Sequence, residues 1–199
     1  MKFFVFLLFT AFIIYSCNNA PESTETNNGN VADVGKPKTE AADFFPVTDY
    51  FKGQLSEIRA KGINPLKITN INNRVDSSWI RMEQLDSEFE LFLIPVIDST
   101  NLNHLFTESK FLDQTINAFT FTYDPSGPLP DSFSLKHWDI YIDPQTNAVK
   151  RVYLVKEIAG NKTIQLTWLH AKSSRIVTLV TGKDGKTFTE KEVTIKWGF

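Results

Sequence analysis

The sequence predicts an α+β fold in which an antiparallel β-meander of about six strands carries N-terminal helices packed on one face. The second half of the chain alternates apolar and polar residues in successive short runs, a pattern typical of strands with one buried face. Turn sequences of only a few residues separate these runs, and such short connections join antiparallel strands. The segment before them has apolar residues at helical spacing instead.

The predicted strands share one apolar face, because their aromatic and branched residues fall two positions apart. Trp138 and Ile140 are one such pair, while Arg151 and Thr167 fall on the opposite face. The clearest hairpin signal is Asp184-Gly185, since a tight turn needs a positive φ that glycine adopts at little cost. The strands are predicted at residues 66–71, 118–123, 133–142, 149–158, 163–170, 175–181 and 188–197.

Two helices are predicted ahead of the main run of strands. Pro46 can start a helix and Gly62 can stop one, and the apolar residues between them fall near a 3.6-residue period, so residues 46–60 are predicted to be helical. Residues 79–94 show a similar period and are predicted to form a helix that ends before Pro95. An extended hairpin strand is the alternative for this second segment.

The chain begins with a short apolar segment that is typical of a signal peptide. Residues 3–15 carry no charge and follow Lys2. As a helix they would span about 20 Å, which is too short for a hydrocarbon core of about 30 Å. This length favours a secretory signal over a membrane-spanning helix, and residues 1–16 are predicted to be the signal peptide.

The apolar segment ends in Ile14-Tyr15-Ser16-Cys17, which resembles the lipobox of bacterial lipoproteins. An apolar residue stands three positions before the cysteine and a small one directly before it, while Tyr15 departs from the small residue usual between them. The resemblance implies cleavage before Cys17 and lipid, such as palmitate, on its thiol. Cys17 is the only cysteine, so it has no intramolecular disulfide partner. Asn18, rather than Asp, implies by the same resemblance an outer-membrane protein, and the lack of a dense acidic run after Cys17 favours the periplasmic face.

Residues 17–43 are predicted to be the lipidated cysteine and a disordered tether. The stretch contains no aromatic residue and is rich in Asn, Thr, Glu, Pro and Gly. It cannot bury enough apolar surface to offset the entropy of ordering it. A flexible coil of this length would span roughly 25–30 Å. The remaining residues, 44–199, are predicted to form a single globular domain.

Charge and motifs exclude several classes of function. The formal net charge is −2 and no basic cluster is longer than Lys150-Arg151, so a nucleic-acid partner is not expected. Gly185-Lys186-Thr187 lacks the earlier glycine of a phosphate-binding loop, and no G-x-S-x-G nucleophile motif occurs. No cofactor is therefore predicted.

Acid–base chemistry has one candidate pair in the predicted strands. His137 and Asp139 lie two apart and share a face with Tyr141, so they could supply two metal ligands or an acid and a base. The spacing offers no third ligand, and no metal site is predicted. The acidic residues between 79 and 94 lie opposite an apolar stripe, where a solvated helix face is the ordinary explanation.

Aromatic residues make up 13% of the chain and offer the best candidates for a ligand site. Tyr123, Trp138, Tyr141, Tyr153 and Trp168 all fall in predicted strands, where they could line a pocket for a sugar or a lipid. Core packing is the competing explanation, because large aromatic residues at alternating positions of a strand often pack together.

The sequence therefore predicts a membrane-anchored envelope lipoprotein that acts as a non-enzymatic binding or assembly module. Its partner would be an apolar ligand or an envelope protein. The alternative is an envelope hydrolase that uses carboxylates or the His137/Asp139 pair. An enzyme should show a cleft in which titratable groups with shifted pKa values converge, whereas a binding module should show an apolar groove or patch.

Overall fold

The computed structural model describes residues 43–158 and 161–198. The predicted signal peptide, Cys17 and nearly all of the predicted tether lie outside the described residues. The helices are α1 (Val47–Ala60), α2 (Leu85–Glu88) and α3 (Glu90–Leu93), with a 3-10 turn at Met82–Gln84. The strands are β1 (Leu66–Ile71), β2 (Arg74–Trp79), β3 (Phe106–Asp113), β4 (Ala118–Pro125), β5 (Leu135–Ile142), β6 (Val149–Ile158), β7 (Lys162–Leu169), β8 (Ser173–Thr181) and β9 (Thr187–Lys196).

All nine strands belong to one antiparallel sheet in the order β2-β1-β9-β8-β7-β6-β5-β4-β3. From β3 to β9 each strand pairs with the next one along the chain, and the β1–β2 hairpin pairs with the outer side of β9. In the described part of the chain, only α1 is longer than four residues. The predicted α+β meander of about six strands with N-terminal helices is therefore wrong. The fold is a nine-stranded sheet of nearly all-β character.

The two strands that the sequence pattern misses, β2 and β3, form the two edges of the sheet. Every residue of β2 is exposed, including Val75 and Trp79. In β3 only Phe106 is buried. An edge strand pairs on one side only and often buries little of its surface, so its sequence need not alternate between apolar and polar residues. Without that alternation, neither segment is recognisable as a strand from sequence.

The segment at residues 79–94 is divided between the end of β2 and a series of short helical turns. The helical period in its sequence has a structural counterpart, because Leu85, Phe89 and Phe92 are all buried. Phe89 has φ −106° and ψ 7°, outside the α-helical region, and it separates α2 from α3. Pro95 follows soon after the end of α3, where a helix is expected to stop.

The sheet buries one face against α1 and the α2–α3 segment. Helix α1 directs four apolar residues at spacings of three and four toward the sheet. Its Phe51 contacts Trp168 of β7 at a ring-centroid distance of 5.0 Å, and Phe92 of α3 contacts the same indole at 5.2 Å. Alternation in β5, β7 and β9 predicts one apolar face, and the residues of that face lie in this core: Trp138, Ile140, Ile164, Leu166, Trp168, Val193, Ile195 and Trp197, with Ile142 partly buried against it.

The turn between β7 and β8 holds a residue in a strained conformation. Ala171 has φ +52°, in the left-handed region where the Cβ of an L-residue crowds the following carbonyl oxygen. Its backbone N–H donates to Oε1 of the buried Gln54 of α1 over 3.0 Å. The turn is thus attached to the helix by a contact that does not involve the Ala171 side chain.

We expect Ala171→Gly to raise the free energy of unfolding by about 0.5–1 kcal/mol, because glycine adopts this φ without steric cost. Chemical denaturation of the purified protein measures the change. Ala148→Gly, at an exposed turn position whose φ is not positive, is the matched control. It should leave stability unchanged or lower it, and an equal loss in both variants would contradict the prediction.

Candidate functional site

The face of the sheet opposite the helices carries polar and aromatic side chains from β4, β5 and β6. We call it the open face. Cross-strand register places Thr122 of β4 and Tyr153 of β6 on either side of Asp139, and Tyr141 opposite Arg151. Strand alternation puts these side chains on the side of the sheet away from α1. The open face is therefore the part of the sheet on which functional side chains can meet solvent.

A hydrogen-bonded acid–base cluster lies on β4 and β5 of the open face, near the β3 edge of the sheet. His137 places Nδ1 2.7 Å from Oδ1 of Asp124 and Nε2 3.1 Å from Oδ2 of Asp139. The other oxygen of Asp139 accepts a hydrogen bond from Oγ1 of Thr122 at 2.6 Å. The Tyr141 hydroxyl donates to Oδ2 of Asp139 at 3.2 Å. Each nitrogen of the imidazole thus faces a carboxylate, and both oxygens of Asp139 are already engaged.

These contacts shift the pKa of both members of the His137/Asp139 pair. The hydrogen bond to Asp139, assisted by the one to Asp124, outweighs partial burial and raises the pKa of His137 from 6.5 to about 9. Burial by itself raises the pKa of Asp139, but hydrogen bonds from His137 and Thr122 and the imidazolium charge lower it below its ordinary value. At neutral pH the pair is an imidazolium beside a carboxylate.

An imidazolium and a carboxylate that already faces three donors are poorly suited to act as a general base near pH 7. A general base needs a free lone pair on a group that titrates near the working pH. His137 is protonated at that pH, and the lone pairs of Asp139 face three donors. Within residues 43–158 and 161–198, no group of three or more His, Cys, Asp or Glu residues is placed to hold a metal ion.

Beside this cluster, Arg151 lies flat against an aromatic ring. Its guanidinium carbon is 3.7 Å from the ring centroid of Tyr141, a cation–π contact that holds the positive charge on the open face. The Nε of Arg151 is buried and has no hydrogen-bond partner among the described residues. A buried N–H without a partner costs free energy.

A cleft of about 640 Å³ opens at the end of the open face, where three turns meet. We call it the end cleft. Its apolar wall includes Ile116 and Ala118, from the β3–β4 turn and the start of β4, and Leu169 at the end of β7. Tyr141 and Arg151 continue the wall on the side of the acid–base cluster. The volume is within the range of small-molecule binding sites, and their walls are typically apolar with a few placed polar groups.

Positive charge predominates around the end cleft. Lys150, Arg151 and Lys172 line it, and none of them makes an ion pair with a carboxylate of the described residues. The ammonium of Lys150 donates to the carbonyl oxygens of Ile116 and Asn117, both at 3.3 Å. The whole chain has a net charge of −2, so this local excess of cations is not a property of the surface in general.

One carboxylate also lines the end cleft. Asp143 accepts hydrogen bonds from the backbone N–H groups of Gln145 and Thr146, at 2.9 and 3.0 Å, and these lower its pKa. The nearby charge of Lys150 lowers it further. This carboxylate is therefore occupied in holding the β5–β6 turn. The three cations against one anion leave the lining with a net positive charge.

The structure does not bring together the five aromatic residues singled out in the sequence. Tyr123, Trp138 and Trp168 are fully buried on the helix-covered face, and the rings of Tyr123 and Trp138 stack at a centroid distance of 4.6 Å. Tyr141 and Tyr153 lie on the open face and are partly exposed. Of the five, Tyr141 lines the end cleft. Cys17 lies outside the described residues.

Sequence reasoning missed the cationic residues of the end cleft. Lys150-Arg151 was visible as the longest basic cluster, and strand alternation placed Arg151 on the polar face. Nothing local in the sequence indicates that Leu169 and Lys172 lie beside this pair. These residues become neighbours through the register between β6 and β7, which sets Arg151 opposite Leu169.

No protein-family model matches this chain, and no curated protein and no solved structure matches it either. Among the described residues, no helix is both long and apolar enough to cross a membrane.

Proposed function

We propose that this chain is a bacterial envelope lipoprotein, anchored through lipid on Cys17 to the outer membrane and facing the periplasm, whose folded part binds a ligand without catalysis. The lipobox-like sequence at residues 14–17 supports the anchor. Two or three acyl chains, at about 0.8 kcal/mol per buried CH₂, hold a protein on a membrane stably. The folded part would then act at the membrane surface.

The end cleft is the observation that carries the binding function. It combines an apolar wall with unpaired cations, and it opens on the sheet face that the helices leave uncovered. A cleft of this kind supports binding of a small ligand better than docking of a protein, which buries a larger and flatter surface.

The alternative of a hydrolase that uses the His137/Asp139 pair finds less support. Titratable groups with shifted pKa values do converge on the open face, which is the pattern expected of an active site. Their shifts have the wrong direction for a base at neutral pH, however, because His137 is held protonated and Asp139 ionised. These shifts are typical of a structural ion-pair network, here one that links β4 to β5.

Mass spectrometry of the protein extracted from bacterial membranes in a non-ionic detergent tests both parts of the proposal. Under denaturing conditions we expect a chain that begins at Cys17 and carries acyl chains. Under native conditions we expect a further, non-covalent mass. The Cys17→Ser chain should keep residues 1–16 and carry no acyl group, while Ser16→Ala, which keeps a small residue before the cysteine, should be processed normally.

The non-covalent mass has its own control pair. Leu169→Glu places a charge on the apolar wall of the end cleft and should remove the extra mass. Phe188→Glu makes the same change at another exposed apolar residue, on β9 outside the cleft, and should retain it. Wild-type protein without acyl chains would refute the anchor, and wild-type protein without any added mass would refute ligand binding.

A further inference from the structure

The chemistry of the end cleft indicates a class of ligand. Its apolar wall excludes a purely ionic ligand as the best fit, because a small anion would leave Ile116 and Leu169 facing water. Its unpaired cations exclude a purely apolar ligand, because burying them without a counter-charge is costly. A molecule with both an apolar part and an anionic group can cover the apolar wall and also pair with the cations.

We propose that the end cleft binds an amphiphile with one anionic head group, whose carboxylate or phosphate meets Arg151 and Lys172 and whose alkyl part lies along Leu169. This inference rests on the proposed binding function and specifies its ligand. Carboxylate and phosphate share the relevant chemistry, since both offer charged oxygen atoms to a guanidinium and an ammonium.

Arg151 is the principal head-group contact. Its guanidinium is positioned by the Tyr141 ring rather than by a carboxylate, so the charge is held in place and is not neutralised by the protein. The Nε of Arg151 is buried and has no hydrogen-bond partner within the described part of the chain. By contrast, Arg175 on the same face donates to Glu192 through Nε at 2.7 Å and through an Nη at 3.0 Å, which satisfies its charge within the protein.

The register of the sheet connects the head-group contact to the apolar wall. Arg151 lies opposite Leu169 of β7 in the ladder and opposite Tyr141 of β5. Leu169 is 39% exposed and Ile116 is 41% exposed, so both present apolar surface to the cleft. A chain of methylene groups anchored at Arg151 can therefore cover apolar surface that is otherwise in water.

Equilibrium dialysis with radiolabelled dodecanoate tests the proposal. The acylated protein, which begins at Cys17, is placed in phosphatidylcholine nanodiscs, and empty nanodiscs give the blank for partition into lipid. Dodecyl phosphate, dodecanol and inorganic phosphate are used as competitors. We expect dodecanoate, dodecyl phosphate or both to bind at least tenfold more tightly than dodecanol, and the preferred anion identifies the head group.

Arg151→Gln should weaken dodecanoate binding at least tenfold, and Arg175→Gln should leave it unchanged. Lys172→Gln, in an exposed turn, is a second variant in case Arg151→Gln fails to fold, and it should weaken binding several-fold. Raising the salt concentration should weaken the binding of dodecanoate but not the binding of dodecanol, because salt screens the charge interaction.

Three results would overturn the inference: equal affinity for dodecanoate and dodecanol, equal affinity for inorganic phosphate and dodecyl phosphate, or equal losses in the Arg151 and Arg175 variants. The native mass measurement separates this failure from failure of the proposed function. If the extra mass depends on Leu169 while the charged probes are not favoured, the binding function stands and the ligand class is wrong. If no probe binds and no extra mass is present, both are wrong.

Discussion

Trp168→Ala is expected to lower the free energy of unfolding by about 3–5 kcal/mol, which is the usual cost of truncating a buried aromatic side chain. The Trp168 indole is fully buried and lies at the centre of the contacts between the sheet and the helices. Its ring lies 4.8–5.2 Å, centroid to centroid, from Phe51, Phe89, Phe92 and Trp197. Domains are typically stable by about 5–15 kcal/mol, so this loss would leave little margin.

A milder variant removes less packing and takes away a polar group that makes no hydrogen bond. The Nε1 of Trp168 is buried without a hydrogen-bond partner in the described residues. Trp168→Phe therefore removes an unsatisfied N–H together with part of the ring, and we expect it to cost about 1–2 kcal/mol. Phe188→Ala, at an exposed position, should cost less than about 1 kcal/mol. Urea unfolding measures all three, and similar losses for Trp168→Ala and Phe188→Ala would contradict the prediction.

The stability of the protein is expected to depend on pH through two groups with opposite effects. Lys156 is buried on the helix-covered face, where its ammonium donates to the carbonyl oxygens of Leu91 and Ile94. Burial lowers its pKa from 10.5 to about 8. The unfolded chain then binds more protons between these two values, so Lys156 makes stability rise with pH across that window, by at most about 3 kcal/mol.

His137 acts in the other direction. Its pKa in the folded protein is raised from 6.5 to about 9, so the stability it contributes is fully present below pH 6.5 and is lost as pH rises through about 9. Its partner Asp124 is largely exposed, so solvent screening reduces the effect to about 1–2 kcal/mol. Together the two groups predict a shallow minimum of stability near pH 8–9.

Urea unfolding at about pH 6.5, 8 and 9.5 measures this pH dependence of stability. Two variants separate its falling part from its rising part. Lys156→Met should lose the rise toward alkaline pH, and His137→Asn should lose the fall from neutral pH. The test compares the slopes of the free energy of unfolding against pH. A change in overall stability in either variant therefore does not affect it. Burial raises the pKa of Tyr50 and Tyr123, which lowers stability above about pH 10, and the scan stops before that. Unchanged slopes in both variants would refute the assignment.

Local patterns in the sequence predict those elements that bury one face. The strand predicted at residues 66–71 coincides with β1, and the one at 149–158 coincides with β6. The helix predicted at 46–60 differs from α1 by one residue. In α1 and β6 a period of 3.6 or 2 residues reflects burial against the same core, and this information is present within the segment itself. β1 shows the period of 2 although none of its residues is fully buried.

The candidate site is less visible in the sequence, because it depends on how strands align. Trp138 and Tyr141 are three residues apart in one strand, so alternation places them on opposite faces. The same argument cannot relate residues on different strands, since it does not specify the register between them. Arg151 and Leu169 become neighbours only when β6 and β7 pair at one particular register.

The sequence by itself determined which segments have a buried face, which residues occupy that face in β5, β7 and β9, and that the chain carries a lipobox-like segment ending at Cys17. Only the tertiary structure decided that β1 pairs with β9, that β2 and β3 form the edges, and that Lys150, Arg151 and Lys172 surround one cleft. The physical reason is that burial of a face is encoded with a short period along the chain. Strand order and register instead arise from backbone pairing between distant segments, which leaves no local pattern in the sequence.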